Sequence, residues 1–142
     1  MSSGKGYIAF RLRPGEDLYT SIQEQAVKNG CNACAIVTCV GSLKECHVRL
    51  AGATATDQVI VPIPGPLEIV SLTGTISQGK AHIHISVSDN KGQVFGGHLV
   101  KGSLIETTAE IVLVNLNNFG IQFTREFDQA TGFNELVVKY DN

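Results

Sequence analysis

Beyond Gly30 the chain reads almost entirely as strand: short apolar or alternating runs, separated by Gly, Pro, Asn and Asp. The pattern predicts strands over residues 33–40, 43–50, 59–62, 68–76, 81–88, 93–100 and 107–115. Shorter ones are predicted over 119–125 and 136–140. Run 33–40 is continuously apolar, as for a strand covered on both faces, and Gly41-Ser42 marks a turn or bulge after it. Pro62, Pro64 and Pro66, with Gly65, suggest a rigid loop. Before Gly30 there is a strand over 6–13, broken at Pro14-Gly15. A helix then opens at Glu16-Asp17 and runs to Lys28, with Leu18, Ile22 and Ala26 on one stripe. Asn29-Gly30 closes it as a left-handed cap would. The expected fold is α+β: a mainly antiparallel sheet or open barrel of about eight strands, with one N-terminal helix packed on it. It forms a single domain over 1–142, with 1–5 and 128–142 at its periphery.

Run 81–88 carries the chemistry. His82 and His84 are two apart, so they share one face of a strand. A turn through Asp89-Asn90-Lys91-Gly92 brings the chain back to Gly96-Gly97-His98. The chain has four histidines, and three of them fall in this one hairpin. Three converging imidazoles are a donor set for a divalent metal with one position left open. Zinc is the first expectation, since it takes three nitrogens and a water in tetrahedral geometry. Bound water would be acidified, which points to hydrolysis. If the site is catalytic, Glu110 on a neighbouring strand is a candidate acid or base; the alternative is a surface or interface carboxylate. Glu68, between Leu67 and Ile69, is expected to be partly buried, with Arg13 or Arg49 as its partner.

Charge narrows the partners. There are 11 Lys and Arg against 13 Asp and Glu, a formal net charge of −2, and no basic block of the kind that grips phosphate backbone. No apolar run approaches the ~20 residues that cross a bilayer. Residues 1–6 lack the apolar core of a signal peptide. The expectation is a cytoplasmic protein whose four cysteines are reduced. Cys31 and Cys34 have Cys-x-x-Cys spacing, but Cys34 and Cys39 lie in apolar sequence, where cysteine packs as a small hydrophobe. His47, beside Cys46, reads as a polar strand residue.

Several segments look familiar together: Leu67-Glu68-Ile69-Val70-Ser71-Leu72-Thr73-Gly74, His82-Ile83-His84, and Gly96-Gly97-His98-Leu99. They resemble the plants and prokaryotes conserved (PPC) domain, over roughly residues 11–124. The resemblance implies an α+β fold with a central antiparallel sheet, and a homotrimer. Plant members join this domain to AT-hooks that bind AT-rich DNA. Here Arg13-Pro14-Gly15 lacks the preceding Gly and the basic flanks of an AT-hook. Stand-alone members of prokaryotic type often carry the histidine trio, so the resemblance implies a metal site at His82, His84 and His98. The alternative is a DNA-binding or protein-assembly module in which those histidines are incidental. Neither reading names a small-molecule ligand.

Overall fold

The computed structural model describes residues 5–141. Strand β1 (Tyr7–Leu12) leads into helix α1 (Leu18–Lys28), and then come β2 (Ala33–Arg49), β3 (Ile60–Ser77), β4 (Lys80–Ser88), β5 (Val94–Leu99) and β6 (Ile105–Asn115). A 3₁₀ turn (Leu116–Phe119) precedes β7 (Ile121–Asp128) and β8 (Phe133–Tyr140). The expected fold class is the one found: antiparallel strands throughout, with one helix. The main sheet runs β1-β6-β2-β3-β4-β5, and β7 and β8 form a separate hairpin. The far end of β2 also pairs with β5, through Val48 opposite Leu99 and Arg49 opposite His98. That contact curls β2, β3, β4 and β5 back onto themselves.

The helix forms where its stripe demands. Leu18, Ile22 and Ala26 are all completely buried. Asp17 is the N-cap rather than part of the first turn; its carboxylate accepts from the Thr20 amide at 2.9 Å and the Gly102 amide at 2.6 Å. At the other end the Gly30 amide donates to the Val27 carbonyl, and the Cys31 amide to that of Ala26, with Gly30 left-handed at φ 64°. This is a Schellman turn. Tyr19 and Gln23 then reach β4, whose N-terminal edge β5 does not cover. The Gln23 side chain accepts from the Ala81 amide at 2.9 Å, and the Tyr19 hydroxyl donates to the Ala81 carbonyl at 3.4 Å. The start of the histidine strand is thus fastened to the helix.

Four expectations change. Residues 33–40 and 43–50 are one strand, because Gly41-Ser42 is absorbed as a bulge in the pairing with β6. The outer face of run 33–40 is not covered by this chain: Val37 is 54% exposed and Val40 58%. The prolines do not make a loop. Pro62 and Pro64 pair with His47 and Glu45 within β3. Their alternate spacing puts each missing N–H on one edge, and β4 joins β3 only from Glu68 onward. Lastly, the cysteines are not all reduced. The Schellman turn brings Cys31 and Cys34 to a Cα separation of 6.0 Å, and they form a disulfide. Among the described residues no helix is long and apolar enough to cross a membrane.

The cap yields a stability prediction. Asp17→Ala leaves two amides without their acceptor, and should cost about 1–2 kcal/mol in urea unfolding. Asp17→Asn should recover at least half of that loss. Equal losses for the two variants would rule out the capping role.

Candidate metal centre

Alternation along β4 decides which way the histidines point. Ala81, Ile83, Ile85 and Val87 are buried, so His82 and His84 lie on the opposite, outward face. Strand pairing supplies the third ring. His98 stands directly opposite His84 on one side and Arg49 on the other. Directly opposed residues have Cβ atoms about 4.5–5.5 Å apart on one face, so His84, His98 and Arg49 make a row across three strands. Gly96 and Gly97 make room for this row. A Cβ at Gly96 would run into the Ile85 carbonyl oxygen, and one at Gly97 would sit 2.8 Å from the Arg49 carbonyl oxygen. Larger residues would push β5 away from one neighbour or the other.

The rings accordingly meet. Centroid separations are 5.3 Å for His82–His84, 5.2 Å for His82–His98 and 5.6 Å for His84–His98. One nitrogen from each lies within 4.8 Å of the other two. Metal–nitrogen bonds of about 2.0–2.1 Å in tetrahedral geometry set nitrogens roughly 3.4 Å apart. Modest side-chain rotation closes the cluster around an ion, so the residues present fit a metal.

The surroundings favour the neutral form of His82 and His98. Burial, then the Arg49 guanidinium, then the other two imidazoles push His98 down to about 4. Burial and the neighbouring cations, His84 first, also lower His82, while Glu135 acts in the opposite sense. Neutral imidazole is the form that binds metal. Arg49 has a second effect. Its Nη2 lies 3.3 Å from His98 Nδ1, and a guanidinium can only donate. His98 therefore spends its Nδ1 lone pair on Arg49 and carries its proton on Nε2. A metal needs a lone pair from this ring, so the Arg49 hydrogen bond competes with it.

Hairpin β7–β8 forms one wall of the site. It contributes Arg125, Phe133 and Glu135 to a cleft of about 530 Å³, together with Arg49, His82 and His98. Sequence reasoning missed these wall residues, because nothing in the pattern of 121–140 says what the hairpin folds against. Glu110 lies elsewhere: it sits on β6 opposite Arg11 and Val40, and lines neither cleft beside the histidines. Glu68 is exposed rather than partly buried. Arg49 turns to His98 instead of to Glu68. The fourth histidine, His47, is set apart, donating from Nδ1 to the Gly102 carbonyl at 2.9 Å. Burial pushes the Cys39 thiol up to about 12 and Cys46 up to about 11, so both stay protonated at neutral pH.

The profile of the Plants and Prokaryotes Conserved (PCC) domain, the family also written PPC, matches residues 2–117. The chain belongs to this family. Hairpin β7–β8 lies beyond the part of the PCC domain that the profile covers. A curated relative, the bifunctional protein GlmU of Synechococcus, is 39% identical over 129 residues. That stretch is 91% of this PCC chain but 20% of the relative, so the chain spans about a fifth of its length. Among solved PCC-like structures, a hypothetical protein from Salmonella is 30% identical with a TM-score of 0.86, covering 99% of this chain and 96% of that one. A protein from Archaeoglobus fulgidus described as metal-containing is 25% identical with a TM-score of 0.76, covering 96% of each chain.

The shift of His98 is directly measurable. In the metal-free protein its ring should titrate near pH 4 by NMR, and Arg49→Gln should move the midpoint upward. The unfolded chain, with its ordinary value of about 6.5, binds the proton first. This group's contribution to stability is therefore complete above about pH 6.5 and lost as pH falls from there towards 4. A midpoint at or above 6.5 would contradict the burial and the Arg49 contact described here.

Proposed function

We propose that the chain is a homotrimeric metal-binding protein in which His82, His84 and His98 hold one divalent ion, zinc by donor preference. One observation carries this reading: the three imidazoles, from two paired strands, have donor nitrogens within 4.8 Å of one another on a face away from the core. The likeness to the metal-containing Archaeoglobus protein supports it. When bound, such an ion supplies Lewis acidity, acidifying water and polarising a carbonyl or phosphoryl oxygen. The chain adds what hydrolysis further requires. Glu135 faces the same cleft and its charge reaches His82, which suits it to proton transfer. The Arg49 guanidinium lies over the Phe133 ring, 6.0 Å from Cζ to ring centre, which gives the cleft an apolar surface beside its charge.

Self-association follows from the uncovered strand faces. Val37 and Val40 on β2 and Ile60 and Val70 on β3 are all more than half exposed. Apolar sheet surface of this kind supports an interface between copies, and a trimer is the assembly that the family resemblance implies. The assembly reading, with incidental histidines, shares the trimer but not the metal.

Protein purified without a polyhistidine tag and equilibrated with zinc should hold about one ion per chain by elemental analysis. His84→Ala should weaken binding by more than the ~10–100-fold that loss of an outer-shell partner costs. A metal-free wild type, or a variant that keeps its zinc, would leave the assembly reading in possession. Light scattering should return three times the 15.2 kDa of one chain; a monomer would refute the trimer.

A further inference from the structure

The cleft beside the three histidines carries a charge imbalance that the metal reading does not use. Arg49, Arg125 and Lys80 line it, against the single acid Glu135, in a chain whose net charge is −2. Arg49 and Arg125 are half-buried. Arg125 donates from Nη1 to the Asn134 carbonyl at 3.2 Å, and Arg49 meets His98 and the face of Phe133. Neither is paired with a carboxylate among the described residues. A guanidinium has five donors in a planar fork, and partly burying one without a counter-ion is unfavourable. The arrangement lacks an acceptor. A cleft of about 530 Å³ also falls within the range of small-molecule sites.

We propose that this cleft binds a small oxyanion, the carboxylate or phosphate of a ligand, between Arg49 and Arg125, and that the anion and the metal bind cooperatively. The proposal rests on the metal reading for its second half. An anion draws the Arg49 fork towards itself, and His98 Nδ1 is released from its hydrogen bond with Arg49. The ring can then offer a lone pair to the ion, and the repulsion between guanidinium and metal is neutralised. Phe133 gives the ligand an apolar surface beside its charge. Because Arg125 and Phe133 belong to the hairpin outside the family match, the choice of ligand is set by a segment distinct from the metal-binding strands.

Sulfate is a suitable probe. It is titrated calorimetrically into metal-free and zinc-loaded protein, with chloride holding the ionic strength constant. The expected result is saturable binding that is at least about fivefold tighter with zinc, the lower end of ordinary coupling. Arg125→Gln should weaken sulfate about tenfold and leave zinc stoichiometry unchanged. Arg49→Gln should weaken sulfate, tighten zinc and abolish the coupling. Lys91→Gln, at the tip of the β4–β5 turn, should change nothing. Amide NMR spectra confirm that each variant is folded. No saturable sulfate binding, or full binding in both arginine variants, overturns the proposal. Sulfate held through the arginines by a protein that takes no zinc would sink the metal reading and the coupling, and leave the anion cleft standing.

Discussion

Strand β5 is wedged between β4 and the end of β2, and it fits there because residues 96 and 97 have no side chains. From that packing limit the rest of the site follows. A strand held on both edges has no freedom of register, so His98 must face His84 on one side and Arg49 on the other. Slippage by one residue would turn the ring into the core. The helix secures the other end of the arrangement, where Gln23 and Tyr19 take up both backbone groups of Ala81 just before His82.

The same row of residues holds opposed electrostatic demands. A metal centre wants neutral imidazoles, and burial together with the nearby guanidinium keeps His98 neutral far into the acid range. Yet that guanidinium also repels a cation and occupies a ring nitrogen the cation needs. Arg49 is helpful for protonation and harmful for ligation at once. In the proposed reading a bound anion that draws Arg49 away resolves the conflict; among the described residues neither Arg49 nor Arg125 is paired with a carboxylate.

Much of this was legible in the chain. His82 and His84 alternate with buried Ile83 and Ile85, so a period of two sufficed to put them on one face. The turn at Asp89 is visible in its own residues: its carboxylate accepts from the amides of Lys91 and Gln93. Helix α1 follows its apolar stripe from Leu18 to Ala26. What escaped was long-range. Arg49 is 49 residues from His98, and no local pattern announces a contact between the end of one strand and the end of another. Glu135 and Arg125 lie on a hairpin whose amphipathic signal says nothing of its neighbour. Glu110 had the right chemistry on the wrong strand, since β6 sits beyond β2 from the histidines. Cys31 and Cys34 meet because a helix cap reverses the chain, and spacing alone does not reveal that geometry.

X-ray absorption at the zinc edge, on zinc-loaded protein, puts the central claim to its most direct trial. Three imidazole nitrogens at about 2.0–2.1 Å, with the outer-shell scattering of intact rings and one lighter oxygen neighbour, is the predicted first shell. A sulfur shell near ~2.3 Å, or oxygen neighbours without imidazole scattering, would place any bound zinc away from His82, His84 and His98 and contradict the account.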